Sequence, residues 1–439
     1  MTDRKHVTKQ SIKQDKGNFK EKIVKSLFNN MVTVIFVILC LIGVKLSQLP
    51  TAFIVKELVT RLARNSFLVL SLIIPVLAGM GLNFSIVVGA MAGQMAIVAV
   101  THWGVTGLPG FLLCVVLSMP VALIFGNLTG RLLNKTKGQE MIASMIVGFF
   151  ANGLYQLIFL FLVGKIIPVK NPVLILNGGV GVRNTIDLSG GVKPTGIKYA
   201  LDSLWQLPVF QVALVGACLT ILYCIYKAIV EKKKNTEIYN LFKYGFTGSI
   251  ALIVGIVSVN ILQGKNLLKM IKLPVVTICV IGGLCLFNIL ILKTKIGQDF
   301  RTVGQDKHIA KVAGINVDKT RILAITISTL LAAWGQLIFL QNLGTLNTYG
   351  SHEQIGMFSI AALLIGGASV SKATIGQALL GTALFHTLFI VSPLAGKNLF
   401  GDAQIGEFFR VFVVYGVIGI SLGLHAWKKR MTAKTKIRA

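Results

Sequence analysis

Residues 301–321 read RTVGQDKHIAKVAGINVDKTR, between TICVIGGLCLFNILIL (277–292) and ILAITISTLLAAWGQLIFL (322–340). Two apolar runs of this length, each close to the roughly 20 residues that cross a bilayer's hydrocarbon, make the polar stretch an excursion out of a membrane. The remainder of the chain has the same texture. Of 439 residues 54% are hydrophobic and 13% charged, and the mean hydropathy is +0.76. A water-soluble chain carries about 25% charged residues. The composition therefore excludes a soluble globular protein and specifies an all-α polytopic membrane protein, because only helices or closed barrels satisfy the backbone inside lipid.

Apolar segments fall near 31–48, 66–82, 83–101, 111–131, 140–163, 207–229, 247–263, 273–293, 321–342, 355–370, 374–393 and 408–427. The formal charge is +29. Roughly two thirds of the basic residues sit in the N-terminal tail 1–30, in RLLNKTK, KAIVEKKKNTEIYNLFK and the opening stretch, at Lys372 and in the C-terminal tail 428–439. By the positive-inside rule these lie in the cytoplasm and meet anionic membrane lipid, so nucleic acid is not the expected partner. A permease domain is expected over 31–427, with both termini cytoplasmic, an external loop near 165–205 and a cytoplasmic loop near 294–321. The external loop, rich in Pro and Gly, suits either contact with an outside partner or a solvated cap.

Two stretches are poor as unbroken spans. GMGLNFSIVVGAMAGQMAIVAV (79–100) holds Gly89 and Gly93 with Asn83, Ser85 and Gln94; IGGASVSKATIGQALLG (365–381) holds Gly366 and Gly367 with Lys372 in its middle. Gly-interrupted segments in two halves of a chain point to broken or re-entrant helices lining a path and to an internal repeat, although glycine also serves close helix packing. About ten full spans plus broken pieces are expected. The uncharged polar residues Asn83, Ser85, Gln94, Asn152, Gln156, Gln336 and Gln341 are candidates for a pathway that handles a neutral polar solute; each can equally bind helix to helix.

The chemistry that is missing narrows the function. The fifteen acidic residues all fall in tails, loops or span ends, and His386 is the one titratable candidate within an apolar run. A proton-driven carrier normally needs such groups in its spans. No GxxxxGK[ST] phosphate loop occurs. The six cysteines lie apart in apolar runs without metal-ligand spacing, and no metal site is expected.

Against that background the polar stretch gains a meaning. GQDFRTVGQDKHIAKVAGINVDKTR (297–321) resembles the cytoplasmic loop of ABC importer permeases of the monosaccharide, nucleoside and branched-chain amino acid type, through Gly297, Arg301, Gly304, Ala310, Gly314 and Ile315. LLAAWGQLIF, SIAALLIGGAS, GQALLGTALF and GLNFSIVVGAMAGQMA resemble the helices of that family. Asn83 stands where members often have Asp, and Lys311 replaces the second alanine of an Ala-Ala pair. The resemblance implies a bacterial plasma-membrane permease subunit that is not itself an enzyme and binds no cofactor. ATP-Mg would be hydrolysed by partner ABC ATPase subunits, with an extracellular solute-binding protein and a second permease subunit, identical or homologous. It makes 301–315 a coupling helix, with Arg301 and Lys307 facing the ATPase and small residues such as Ala310 and Gly314 allowing close approach. The cargo implied is a simple sugar or nucleoside. A branched-chain amino acid permease, a self-contained ion-coupled carrier and a non-transporting scaffold are the rivals.

Overall fold

The computed structural model describes residues 30–136, 138–169, 171–190, 196–233, 238–264, 267–412, 415–416, 418–420, 423 and 427. Both basic tails expected at the ends lie outside these, apart from Asn30. The helices are α1 (Met31–Ser47), α2 (Thr51–Ser71), α3 (Ile73–Leu77), α4 (Ile86–Trp103), α5 (Gly107–Lys135), α6 (Glu140–Leu157), α7 (Val209–Lys233), α8 (Ile238–Gln263), α9 (Val275–Ile291), α10 (Lys295–Gln305), α11 (Lys307–Val312), α12 (Val317–Leu343), α13 (Ser351–Ile365) and α14 (Ile375–Phe400). A π-helical turn, Ile158–Leu162, prolongs α6.

Eight described helical segments are long and apolar enough to cross a membrane, nine if α9 and α10 count as one span bent by 75°. The protein is an all-α polytopic membrane protein. The bend is where the chain leaves the apolar run for the polar stretch.

One boundary expected from the sequence is corrected. The helix expected from residue 66 begins at Thr51 and carries Lys56, Glu57, Arg61 and Arg64. Arg61 pairs with Glu57 one turn away at 3.4 Å, and the Arg64 guanidinium lies 5.2 Å from the Phe339 ring centre. These contacts let charged residues continue a span that hydropathy alone cuts short.

The core is formed by α2–α3, α4, α12, α13 and α14, where buried Leu, Ile, Val and Ala interlock. α12 lies against α2, α4 and α5. Helices α7 and α8 pack mainly on each other and expose Leu219, Leu222, Ile253 and Ile256. An apolar exterior of this kind is what lipid solvates.

Two short antiparallel pairs tie loops down. β1 (Thr185–Asp187) pairs with β4 (Thr345–Asn347), so the 165–205 loop folds over the end of α12. Tyr199 N donates to Gln341 O at 2.8 Å and Leu188 N to Gly344 O at 3.0 Å. β2 (Gln206–Pro208) pairs with β3 (Lys272–Pro274) and closes the base of the α7–α8 hairpin. Tyr349, in the turn after β4, donates to Val182 O at 2.7 Å. Burial pushes its phenol up to about 12, which keeps it a neutral donor.

Candidate functional site

The polar stretch folds through signals local to its sequence. Thr294 caps α10, accepting from Gly297 N at 3.4 Å. Asp306 caps α11, accepting from His308 N at 2.7 Å and Ile309 N at 3.2 Å. Asn316 caps α12, accepting from Lys319 N at 3.0 Å. Side-chain acceptors at these positions satisfy amides that a helix start leaves free. The donations from Ile309 and His308 also hold the Asp306 carboxyl below its usual range. Gly314 ends α11 with φ +77°, and Ile315 N returns to Ala310 O at 3.0 Å. Glycine takes this left-handed geometry without strain.

The stretch is pressed onto the membrane body at one point. A Cβ on Gly304 would lie 2.0 Å from Leu77 O and 3.1 Å from Gly79 N. The loop backbone therefore rests on the chain between α3 and α4, where the first helix break occurs. The sequence led us to expect this glycine, Ala310 and Lys307 at the partner surface; the structure corrects the first two and leaves Lys307 partly exposed while pairing it within its own chain. Ala310 is fully buried against Val303 and Val317 of its own chain, and Ile315 packs onto the same cluster. Lys307 Nζ lies 3.1 Å from Glu140 Oε1. Arg301 and Gly314 do face outward. Beside them Ile309 is 60% and Val312 78% exposed, two residues sequence reasoning passed over.

A second constellation lies within the helices. His352, fully buried at the start of α13, has Nδ1 2.9 Å from Gln94 Oε1 of α4 and Nε2 2.8 Å from Asn152 Oδ1 of α6. Asn152 Nδ2 in turn donates to Glu353 Oε1. Gln156 Nε2 reaches Asn152 Oδ1 at 3.4 Å, and the Tyr155 ring lies 5.1 Å from the His352 ring. As oriented, both ring nitrogens face amide oxygens, which a neutral imidazole with one N–H cannot satisfy. Reversing Gln94 resolves this and also gives a partner to its amide nitrogen, which otherwise has none. The chain is then neutral up to Glu353.

Glu353 opens into a cavity of about 480 Å³, lined also by Phe84 from the first break, Phe149 of α6, Phe389 of α14, Arg410 and Tyr415. The Arg410 guanidinium sits 4.0 Å from the Phe389 ring centre and pairs with Glu407. Polar groups converge here beside apolar walls, the usual composition of a small-solute site.

The expected pathway residues thus divide. Gln94, Asn152 and Gln156 join the His352 chain. Asn83 and Ser85 do not: Asn83 Oδ1 accepts from Ser85 N at 3.1 Å and from the Ser85 hydroxyl, an Asx turn that starts α4. Gln336 is fully buried beside Gly93 and neither atom of its amide has a partner. Gln341 receives the Leu201 amide at 3.4 Å. Gly89 and Gly93 were expected at a helix break but lie inside continuous α4. Their missing side chains let α4 approach α12, since a Cβ would come within 2.3 Å of Thr329 O and 2.7 Å of Ala333 O. Gly366 and Gly367 do lie at a break, after α13. His386 is buried beside Phe385 and Phe389.

His352 and Glu353 were missed because the apolar segment was started at residue 355, just past them. Asp202, expected in a loop, is likewise buried, accepting from Thr277 and, at 2.5 Å, from Asn342 Nδ2. Among the described residues no three His, Cys, Asp or Glu side chains converge as metal ligands would.

Comparison with known proteins agrees with the resemblance read from the sequence. Residues 284–418, which contain the polar stretch, match the protein-family model described as branched-chain amino acid transport system / permease component. The chain is 33% identical over 152 residues to the probable ABC transporter permease protein YphD of Escherichia coli, covering 34% of this chain and 43% of that protein. It is 36% identical over 86 residues to the autoinducer 2 import system permease protein LsrC of Klebsiella pneumoniae, covering 19% and 24%. It is 34% identical over 101 residues to the xylose transport system permease protein XylH of Haemophilus influenzae, covering 23% and 26%. The chain thus matches less than half the length of each of these relatives. No solved structure matches. Over its matched parts the chain is similar to permease proteins, among them a probable ABC transporter permease, an autoinducer 2 import permease and a xylose transport permease.

Proposed function

We propose that this chain is the membrane-spanning subunit of an ATP-driven importer of a small polar solute, a simple sugar or nucleoside. The observation that carries the reading is the pair Ile309 and Val312, large apolar side chains held out on a rigidly capped helix beside Arg301 and Lys311. Exposed apolar groups on a polar, basic surface mark a protein contact. The likeness of residues 284–418 to permease components supports reading that contact as one with an ABC ATPase, which hydrolyses ATP-Mg on this chain's behalf. An extracellular binding protein and a second permease subunit complete the assembly in a bacterial plasma membrane. Both termini of this chain then lie on the cytoplasmic side with α11.

Solute passes by the cavity of Phe84, Phe149, Glu353 and Phe389. Hydroxyl groups on the cargo exchange hydrogen bonds with Glu353 and the amide–imidazole chain, and the aromatic faces cover its apolar side. The xylose transport named for one relative supports a sugar.

Co-purification tests the reading. The wild-type chain is expected to recover an ABC ATPase, and Val312→Asp to lose most of it while still folding, because that side chain is 78% exposed. Uptake by the purified chain alone in an ion gradient, without ATP, would overturn the proposal. For the pathway, His352→Ala is expected to lower uptake about tenfold or more with ATP hydrolysis retained, since it strands Gln94 and Asn152.

A further inference from the structure

Glu140, the first residue of α6, stands where five parts of the chain meet. Its Oε1 lies 3.1 Å from Lys307 Nζ on α11 and also receives the guanidinium Nη2 of Arg321, in the first turn of α12. Arg321 is 1% exposed, and its remaining nitrogens are committed too. Nη1 donates to Asn134 Oδ1 at the end of α5, at 2.8 Å, and Nε lies 2.8 Å from Met80 Sδ, between α3 and α4. A buried guanidinium satisfied in three directions fixes the relative positions of everything it touches. One turn further along α6, the Ser144 hydroxyl accepts from Phe84 N at 3.1 Å. α6 then runs without a break to Asn152, the residue that joins His352 to Glu353.

We propose that Glu140 is a positioning residue that relays movement of α11 to the solute path. It rests on the proposed function above and names the connection that function requires. A displacement of α11 pulls Lys307, and with it the carboxylate that α6 and Arg321 share. α6 moves as a rod and shifts Phe84 through Ser144 at one end and Asn152 at the other. The Arg321–Met80 contact moves the opposite side of the same break. The Gly304 contact on Leu77 can push against this break but cannot pull it, whereas the Lys307–Glu140 link can do both.

The test uses the complete complex with its ATPase in nanodiscs, and ATP with vanadate as the probe, so the cargo need not be known. Hydrogen exchange of residues 78–86 and 140–157 is measured with and without nucleotide, alongside the ATP hydrolysis rate. In wild type the exchange of both segments is expected to respond to nucleotide. In Glu140→Gln the response is expected to fall at least threefold while hydrolysis continues, since the amide keeps the shape and loses the charge that binds Lys307 and Arg321. If Glu140→Gln fails to fold around its buried arginine, Lys307→Gln decides. Lys307 is 43% exposed, and its loss breaks only the link to α11. The two substitutions together should do no more than either alone, because both cut one connection.

A nucleotide response of wild-type size in folded Lys307→Gln overturns the relay and leaves the permease reading standing. A wild-type chain that recovers no ATPase overturns the permease reading instead.

Discussion

Two breaks in the helices, after α3 and after α13, are held differently. The first, residues 78–85, is gripped by the polar stretch and α6: Gly304 rests on Leu77, Arg321 on Met80, and Ser144 on Phe84. The second, residues 366–374, is held by its own neighbours. Gln377 Nε2 donates to Gly367 O at 2.8 Å, and the Thr33 hydroxyl of α1 donates to Ile365 O at 2.9 Å. Similar irregular backbone therefore serves two ends. One break is tied to the polar stretch and α6; the other is tied to α1 and α14. Unwound backbone at membrane depth needs protein around it, and what supplies that protein decides whether it can be driven.

Substitutions that separate the two breaks test this contrast. The largest effect is expected from Gly304→Val and Gly366→Val. Their Cβ atoms would meet Leu77 O at 2.0 Å and Gln377 O at 1.8 Å, so each should cost about 3 kcal/mol or more through forced backbone shifts. Thermal unfolding in detergent measures both. Only Gly304→Val should also dissociate hydrolysis from transport in whatever protein is recovered; equal uncoupling in Gly366→Val would erase the distinction.

Next comes Arg321→Met. Removing a buried guanidinium leaves Glu140 with Lys307 alone, at a cost of about 2 kcal/mol. Gln377→Ala at the second break removes two hydrogen bonds, to Gly367 O and from the Thr374 hydroxyl, about 1–2 kcal/mol, and should leave nucleotide-dependent exchange at 78–86 unchanged.

The smallest effect is at the α11 cap. Asp306→Asn should behave as wild type, because Asn caps as well, whereas Asp306→Ala should speed exchange of the His308 and Ile309 amides. The pH dependence follows from the sign of the shift. The folded carboxyl titrates below its unfolded value, so its contribution is present above the unfolded value of about 3.9 and fades as pH falls through the lower folded one. ATPase recovery should accordingly be insensitive to Asp306 ionisation between about pH 5 and 8.

The parts legible in the sequence are those written in neighbouring residues. Long apolar runs fixed the membrane class, and the Thr294, Asp306 and Asn316 caps act over two or three residues within a stretch already singled out. The assignments that failed depend on distance along the chain. Glu140 and Lys307 are 167 residues apart, and His352 and Gln94 258; no local pattern marks either pair. Ala310 and Gly304 were correctly selected as special but assigned to the wrong surface. A small residue announces a close approach without saying to what. Gly89 and Gly93 failed for the same reason, since glycine in a span serves a break and a tight crossing alike.

The β2–β3 clasp brings Gln206 beside Pro274, so the α7–α8 hairpin leaves and re-enters the body at a single point. In construction terms the hairpin is a removable panel. The remaining helices already meet behind it, and the polypeptide can be cut between α7 and α8 without severing a packed core. Co-expressing the two halves as separate chains is a direct route to a split protein whose reassembly can be timed.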